Sequence, residues 1–342
     1  MLGPFLEKNY NEGDDSGGNK GVSRMEEKKN GGMMAVIAAL IANILVAISK
    51  FIGYLLSGSA AMLNESIHSV VDSSNQALLI VGDRRASVGQ SELHQFSEGR
   101  AKYFFSTIVA TMLFFGGGAL GVMEATEKLF HPAHEVGNQW LVIGILIFGM
   151  VVEGSSLRIA FKEIAELNTE KLPLFKFLRE SRHSEILIIF TEDFCAVIGL
   201  LLALAGTILT LITGNAVFDA LSGLLIGLLL MFAAIFLAKE FYSLIIGESV
   251  TAGDLAKIKS AFARPDIERL IDIKTLHMSA DEIMIAAKVD IVAPKEGAAY
   301  SIINEIEANI RGGLPDKKAY IYIEVDEFQE NYHDHGQPQK EE

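Results

Sequence analysis

The fold is decided by residues 64–76, which run Asn64-Glu65-Ser66-Ile67-His68-Ser69-Val70-Val71-Asp72-Ser73-Ser74-Asn75-Gln76. They lie within an apolar window of membrane-spanning length, and spacings of three and four residues place the larger polar side chains on one face of a helix. Ionisable groups are expensive in hydrocarbon and usually mark a functional site. This face is therefore predicted to meet protein, water or a metal ion, with His68 and Asp72 one helical turn apart.

Five further apolar windows accompany this one along the chain. Each is long enough, or nearly so, to cross about 30 Å of hydrocarbon as a helix. The six windows are Met34–Leu56, Met62–Val81, Tyr103–Val122, Trp140–Ile159, Ile186–Leu211 and Phe218–Leu237. The sequence thus predicts a multi-pass α-helical protein of the lipid bilayer, with a membrane domain of six transmembrane helices at residues 31–246.

The segments outside the membrane predict the orientation of the chain. Residues 1–30 are polar and lack a compact apolar stretch, which indicates a disordered cytosolic leader and not a signal peptide. Basic residues concentrate in this leader and in the loops after the second and fourth windows, whereas the alternate connections carry few. The positive-inside rule then places both termini in the cytoplasm. A plasma or inner membrane is favoured, and an organelle is the alternative.

Composition excludes several classes of function. The 342-residue chain has 29 Lys and Arg against 43 Asp and Glu, a net charge of −14, and no basic stripe that would neutralise the phosphates of a nucleic acid. Cys195 is the only cysteine, which excludes an intrachain disulfide and a cysteine-rich zinc finger. We expect Cys195 to pack within its helix bundle.

Residues 247–330 have the composition of a water-soluble α+β unit. Alternating and helical periodicities predict five elements, at Ala252–Arg264 (helix), Ile267–Leu276 and Glu282–Ile291 (strands), Ala298–Ile310 (helix) and Lys318–Val325 (strand). Gly312 and Gly313 are expected to interrupt the second helix. This αββαβ order predicts a cytosolic ferredoxin-like domain, followed by a flexible tail at residues 331–342.

Several local motifs together resemble the cation diffusion facilitator family of divalent-metal/proton antiporters. They are Gly58-Ser59 leading into Asn64–Asp72, then Gly82-Asp83-Arg84-Arg85-Ala86, His94-Gln95-Phe96-Ser97-Glu98-Gly99-Arg100 and Phe218-Asp219-Ala220-Leu221-Ser222-Gly223. The resemblance extends from about Met33 to Glu327. It implies a transporter that forms a homodimer through its cytosolic domains.

The resemblance also implies a metal site built from two ligands on the second helix and two on the fifth. His68 and Asp72 match the second-helix positions, and Asp193 matches the usual carboxylate of the fifth. The residue four positions before Asp193 is Ile189, where the family often has His or Asp, so the chain departs from the pattern there. Glu192 is the candidate for the fourth ligand. The alternatives for Glu192 are a proton relay, a helix cap or a hydrogen-bonding role.

The predicted function is efflux of a divalent cation by proton antiport with alternating access. Protons compete for the same nitrogen and oxygen atoms that bind the metal. A tetrahedral set with one imidazole favours Zn²⁺ as the transported ion, with Fe²⁺, Mn²⁺ and Co²⁺ as alternatives. The protein is predicted not to be an enzyme. The alternatives are a membrane-embedded metal hydrolase and a nontransporting scaffold. The lack of a further nucleophile or general-base constellation beside His68 argues against the hydrolase.

Other polar residues carry weaker expectations. Glu153 is expected to reach the membrane interface near the cytoplasmic end of the fourth window, with an access path as the alternative. His94 and Glu98 match a loop that binds metal in many relatives, although here we favour ordinary solvent-exposed side chains without a metal. His277, the only histidine of residues 247–330, is expected at the surface. Lys288 places a cation on a strand, so metal occupancy of the C-terminal domain is predicted to be low.

Glycines in the third and sixth windows predict close helix packing. They are Gly116, Gly117, Gly118 and Gly121 in the third window, and Gly223 and Gly227 in the sixth. Small residues let helix backbones approach closely in lipid. A sliding contact during transport is the alternative interpretation.

Overall fold

The structure, a computed structural model, describes residues 41, 43–131, 139–168, 171–180, 184–292 and 298–328. The predicted leader at residues 1–30 and the predicted tail at residues 331–342 lie outside the described residues. No cis peptide bond occurs in the described ranges.

Seven helices occupy the described residues before 247. They are α1 (Asn43–Ser57), α2 (Ala60–Ala86), α3 (Ala101–Phe130), α4 (Gln139–Leu167), α5 (Leu174–Glu180), α6 (Ser184–Thr213) and α7 (Val217–Ile246). Helices α3, α4, α6 and α7 are each long and apolar enough to cross a membrane. The chain is thus a helical protein of the membrane type. The count of six spans stays a prediction, because the polar face of α2 lowers its hydropathy and the described part of α1 is short.

Helix α2 begins at a turn that also fixes it to α7. Gly58 has a φ of 65°, and the Ser59 hydroxyl accepts a hydrogen bond of 3.1 Å from the backbone N–H of Met62. The Asp219 carboxylate on α7 accepts hydrogen bonds from the Ala60 backbone N–H, at 2.7 Å, and from the Ser59 hydroxyl. A carboxylate at a helix N-terminus satisfies donors that have no intrahelical partner. These hydrogen bonds therefore fix the axial position of α2, and of its polar face, relative to α7.

Glycines bring α3 and α7 into backbone contact. A Cβ atom on Gly118 would lie 3.0 Å from the Met231 nitrogen, and one on Gly227 would lie 2.8 Å from the Val122 nitrogen. Backbone atoms cannot yield as a side chain does, so only glycine fits at these positions. The predicted close packing is confirmed. Part of α3, Leu113–Ala119, is a π-helical turn that contains the three consecutive glycines.

We expect Gly227→Val to destabilise the membrane domain by about 1–3 kcal/mol, because the added methyl groups must separate α3 from α7. Thermal unfolding of the purified protein in detergent would measure this loss. Gly144→Val on α4 is the matched control, since nothing lies within 4 Å of a Cβ atom at Gly144. Equal stability of the two variants would contradict the proposed contact.

The C-terminal unit has the predicted αββαβ order. Its elements are α8 (Ala252–Ser260), β1 (Ile267–His277), β2 (Glu282–Ile291), α9 (Ala298–Gly313) and β3 (Lys318–Val325). Strand β2 lies in the centre of the sheet, antiparallel to β1 and parallel to β3. Alternate residues of β2 are buried against the two helices. The ferredoxin-like classification of this unit stays a prediction.

Two helix ends differ from those that the sequence predicted. Helix α8 ends at Ser260 and not at Arg264. The Ser260 hydroxyl donates a 2.6 Å hydrogen bond to the Lys257 carbonyl, and Pro265 disfavours helical geometry at the residue before it. Helix α9 continues through Gly312 and Gly313, since glycine costs little at the C-terminus of a helix.

The loop between α2 and α3 lies against the C-terminal sheet. The Arg100 guanidinium donates a 3.2 Å hydrogen bond to the His277 carbonyl. Gln90 donates one of 3.1 Å to the Tyr320 hydroxyl, and the Ser97 hydroxyl donates one to the Glu282 carboxylate. The loop that joins α2, which bears the polar face, to α3 is therefore linked to the C-terminal unit.

Candidate metal centre

The polar face of α2 points into the protein, as its spacing predicted. Its buried members are Asn64, Glu65, Ser66, His68, Ser69, Asp72 and Asn75. Helix α2 packs against α3, α6 and α7, so these side chains face neighbouring helices and not lipid. Buried polar atoms in hydrocarbon need partners or a ligand. We call this row of residues the α2 stripe.

His68 and Asp72 form a pair at the middle of the α2 stripe. The His68 Nε2 atom lies 3.2 Å from Asp72 Oδ1, and the side chains are 1% and 11% exposed. Neither ring nitrogen of His68 makes a hydrogen bond of good geometry among the described residues. A neutral imidazole has one nitrogen lone pair that can bind a cation. A carboxylate 3.2 Å from one ring nitrogen can contribute to the same site.

Glu192 on α6 faces the α2 stripe. The Asn75 side-chain amide, one turn after Asp72, donates a hydrogen bond to Glu192 Oε1. Glu192 is 4% exposed. Its carboxylate is therefore held within one helical turn of Asp72.

Asp193, the next residue of α6, faces α4. Its Oδ2 atom accepts a 2.7 Å hydrogen bond from the Ser156 hydroxyl. Consecutive residues of a helix project about 100° apart, which explains why the two adjacent carboxylates have different neighbours. Ile189, at the position where the family often has a ligand, packs at the edge of the hydrophobic core.

The structure brings only part of the predicted ligand set together. Within the described ranges, no group of three or more His, Cys, Asp or Glu side chains lies close enough to hold a metal ion. His68 and Asp72 are paired, whereas Glu192 and Asp193 are held by Asn75 and Ser156. The assignment of these four residues as ligands stays a prediction.

A buried lysine beside the α2 stripe was missed in the sequence analysis. Lys50 on α1 is fully buried. Its Nζ atom lies 3.0 Å from Glu65 Oε2, 2.9 Å from the Ser69 hydroxyl and 3.5 Å from Glu153 Oε1 on α4. A lysine in the middle of an apolar window must pair with an acid, and Glu153 was the unmatched acid of the fourth window. The isolated lysine of the first window and the isolated acid of the fourth were the sequence features that could have predicted this pair.

The interpretation of Glu153 as an interfacial residue was wrong. Glu153 is 6% exposed and faces Lys50 inside the helix bundle. The position of Glu153 was predicted only from its depth in the fourth apolar window. Its true position follows from the lysine on another helix, because a buried charge is stable only beside an opposite one.

Two further histidines have ordinary surroundings. His94 Nδ1 lies 3.3 Å from Glu98 Oε1 on the surface, and Arg85 lies 3.9 Å from the same carboxylate. His277 was expected at the surface, but it is 1% exposed, with Nδ1 3.1 Å from the Ser279 carbonyl oxygen. The turn after β1 folds back over His277, which the strand pattern alone did not reveal.

Lys288 in the C-terminal sheet is surrounded by acids. Its Nζ atom lies 2.9 Å from Asp326 Oδ2 and 3.2 Å from Glu324 Oε1. The hydrogen bonds from Asp326 and Glu324 raise the pKa of Lys288 to about 12. Lys288 thus remains a cation at neutral pH and occupies the place between these two carboxylates that a metal ion would need.

We therefore expect the C-terminal unit to bind no divalent metal tightly. The double variant His68→Ala/Asp72→Ala keeps this unit intact and should show no tight Zn²⁺ site in calorimetric titration of the full chain. Wild-type protein in the same detergent is the control and should bind Zn²⁺. A residual stoichiometric site in the double variant would contradict the prediction.

Comparison with known proteins assigns the membrane part of the chain. The family model described as the cation efflux transmembrane domain matches residues 36–246, more than half of the sequence. This range includes the α2 stripe, Lys50, Glu153 and both carboxylates of α6.

Curated relatives have similar sequences over most of this chain. The human proton-coupled zinc antiporter SLC30A9, mitochondrial, is 28% identical over 257 residues, which are 75% of this chain and 45% of that protein. The Xenopus laevis protein of the same name is 29% identical over 257 residues, which are 75% of this chain and 46% of that protein. Metal tolerance protein C4 of Arabidopsis thaliana is 27% identical over 274 residues, 79% of this chain and 60% of that protein.

The chain spans about half the length of the curated relatives it matches. The family to which these proteins belong is a family of transporters and not of enzymes. The resemblance that the sequence motifs predicted is confirmed, and the chain belongs to the cation diffusion facilitator family.

Proposed function

We propose that this protein exports a divalent metal cation from the cytosol in exchange for protons. The observation that carries the proposal is the buried His68–Asp72 pair within the α2 stripe, in a chain of the cation diffusion facilitator family. A titratable pair of this kind inside a membrane domain suits a substrate that must be bound and then displaced by a proton.

The proposed first coordination sphere consists of His68 and Asp72 from α2 with Glu192 and Asp193 from α6. In the observed geometry, hydrogen bonds from Asn75 and Ser156 hold the two α6 carboxylates. A cation that enters beside His68 would attract them away from these neutral donors, since charge-assisted contacts are stronger. Rocking of α2 and α6 relative to the other helices would then expose the site to alternate sides of the membrane.

Zn²⁺ is the favoured substrate, because one imidazole with carboxylates forms the tetrahedral site that this ion accepts. Fe²⁺, Mn²⁺ and Co²⁺ use the same nitrogen and oxygen ligands and are the alternatives. The names of the human and frog relatives specify zinc and proton coupling, and that of the plant relative specifies metal tolerance. These names support transport of a metal ion.

The architecture proposed for transport has six membrane helices, α1, α2, α3, α4, α6 and α7, followed by a ferredoxin-like cytosolic domain. The basic loops support cytoplasmic termini. A homodimer through the soluble domains is proposed from the family resemblance. The membrane domain is proposed at residues 31–246 and the soluble domain at residues 247–330. A plasma or inner membrane is favoured over an organelle.

Membership of a transporter family supports transport over the two rival functions. A metal hydrolase needs a base or nucleophile beside the activated water, and the other acid near His68 on α2, Glu65, is already paired with Lys50 at 3.0 Å. A nontransporting scaffold does not explain why ionisable side chains are buried at a free-energy cost on five helices, α1, α2, α4, α6 and α7.

Flux into proteoliposomes tests the proposed function. The purified chain is reconstituted with a metal-sensitive dye in the lumen, and Zn²⁺, Fe²⁺, Mn²⁺ and Co²⁺ are added outside in separate runs. We expect time-dependent uptake of Zn²⁺ and slower uptake of the others. Absence of uptake for all four ions, with protein-free vesicles as the baseline, would contradict the proposal.

Amide variants test whether Glu192 and Asp193 each bind the metal. Glu192→Gln and Asp193→Asn each remove one negative charge from the proposed site while retaining an oxygen. We expect each to weaken Zn²⁺ binding more than about 10-fold, the lower limit for losing even an outer-sphere group. Glu163→Gln, an exposed position on α4, is the control. A Glu192→Gln affinity equal to wild type would show that Glu192 only bonds to Asn75.

A further inference from the structure

Three helices contribute to a second cluster of ionisable groups in the membrane domain. Lys50 of α1, Glu65 of α2 and Glu153 of α4 meet through the Lys50 Nζ atom, and we call them the Lys50 cluster. All three residues are at least nine-tenths buried. None of them was predicted as a metal ligand, and an ammonium group cannot be one while protonated.

The surroundings of Lys50 suit a charged ammonium. An ammonium has three N–H donors, and three oxygen acceptors lie around this nitrogen, on Ser69 at 2.9 Å, Glu65 at 3.0 Å and Glu153 at 3.5 Å. With Lys50 charged, two ionised carboxylates would leave the cluster with a net charge of −1 in a low-dielectric interior. A single proton on one carboxyl group makes the cluster neutral, which is the arrangement that burial favours.

The proton belongs on Glu153. Glu65 is closer to the ammonium and fully buried, so ionisation of Glu65 is the better compensated. Glu153 is farther from Lys50, at 3.5 Å, so a charge on its carboxylate is the less well compensated of the two. The second oxygen of Glu65, Oε1, has no hydrogen-bond partner among the described residues, and it faces Gly199 of α6 so closely that a Cβ atom there would collide with it. The cluster therefore abuts the helix that carries Glu192 and Asp193.

We propose that the Lys50 cluster is a proton-binding site separate from the metal ligands, that Glu153 carries its exchangeable proton, and that a divalent cation beside His68 and Asp72 displaces this proton. The inference rests on the proposed function, because it names the site of one coupled proton. The charged and titratable groups that act on Glu153 from the helices around it are Lys50 on α1, Glu65, His68 and Asp72 on α2, and Glu192 and Asp193 on α6.

Loss of the Glu153 proton on cation binding needs no further reactant. A cation that arrives near the α2 stripe adds two positive charges, which favours the ionised form of each nearby carboxyl group. The O–H bond of the Glu153 carboxyl breaks, its electron pair stays on the carboxylate, and the proton leaves to water. When the cation departs to the opposite side, Glu153 takes up a proton there. One proton then moves against each metal ion without binding to a metal ligand.

Proton release on metal binding tests the proposal. The detergent-purified full chain is titrated with Zn²⁺ in buffers of different ionisation enthalpy, which gives the number of protons released per ion bound. We expect Glu153→Gln to bind Zn²⁺ and to release one proton fewer than wild type. Glu163→Gln, the same substitution at an exposed position of α4, should release as many protons as wild type.

Infrared difference spectra on Zn²⁺ binding give a second readout. Wild type should lose the carbonyl band of a protonated carboxylic acid, the band should shift in Glu153→Asp, and it should be absent in Glu153→Gln. A merely structural role for Glu153 would leave this band unchanged. Glu153→Asp retains an ionisable group and serves if the glutamine variant does not fold.

The outcomes separate this inference from the proposed function. If wild type binds and transports Zn²⁺ while Glu153→Gln releases the same number of protons, the inference is overturned and the function stands. If Glu153→Gln releases one proton fewer and loses the carboxyl band, the inference is supported. If wild type binds none of Zn²⁺, Fe²⁺, Mn²⁺ and Co²⁺, the proposed function fails and the inference fails with it.

Discussion

Replacement of His68 by alanine is expected to weaken Zn²⁺ binding more than about 100-fold, the upper range for losing only a second-sphere partner of a metal ligand, and to stop flux at micromolar Zn²⁺. The substitution removes the only imidazole of the α2 stripe, whose Nδ1 atom has no hydrogen-bond partner in the described part of the chain. Asp72→Ala should have a similar effect, because it removes the proposed carboxylate ligand that lies 3.2 Å from the His68 ring. Both effects are measured by calorimetry and by flux in proteoliposomes.

Ser74→Ala is the control on the same helix. The Ser74 hydroxyl donates a 2.9 Å hydrogen bond to the Val70 carbonyl of its own helix, away from the α2 stripe. This variant should bind and transport as wild type does. If His68→Ala and Asp72→Ala retain wild-type affinity, the assignment of the site to α2 is wrong.

Replacement of Lys50 by methionine is expected to destabilise the membrane domain by about 3–5 kcal/mol, the range observed when one member of a buried ion pair is removed. Methionine fills a similar volume, but Glu65 loses the ammonium that lies 3.0 Å from it. The double variant Lys50→Met/Glu65→Gln should regain a large part of the loss, because it removes the stranded charge as well. Thermal unfolding in detergent measures all three proteins.

Lys162→Met provides the matched control for this prediction. Lys162 is on α4, its side chain is 79% exposed, and its pair with Glu166 spans 3.8 Å. An exposed pair of this kind contributes about 0–1 kcal/mol. If Lys50→Met is as stable as Lys162→Met, or if Glu65→Gln gives no recovery, the Lys50 cluster does not stabilise the fold as described.

Much of the fold was predictable because its signals are local. The bounds of β2 and β3 follow from alternating apolar residues and were predicted without error. The burial of the α2 stripe followed from spacing alone, since a polar row inside an apolar window has to face protein. Glycine spacing in the third and sixth windows likewise predicted the contact of Gly118 with α7.

The errors arose where a side chain's position depends on another helix. Glu153 was placed at the interface because its depth was known and its partner was not, although Lys50 was an equally isolated charge in the first window. Glu192 and Asp193 are adjacent in sequence, but their partners on α2 and α4 are set by the rotation of α6. Helix rotation depends on the packing of the whole bundle, which the period of one helix does not specify.

The most direct test of the central claim follows Zn²⁺ and lumenal pH together in proteoliposomes with an imposed pH gradient. Exchange predicts that Zn²⁺ accumulates in an acidic lumen, that the lumen becomes more alkaline as it does so, and that a protonophore or His68→Ala stops both changes. Zn²⁺ uptake that is the same with an acidic or an alkaline lumen, or that persists unchanged in His68→Ala, would contradict proton-coupled transport through the α2 stripe.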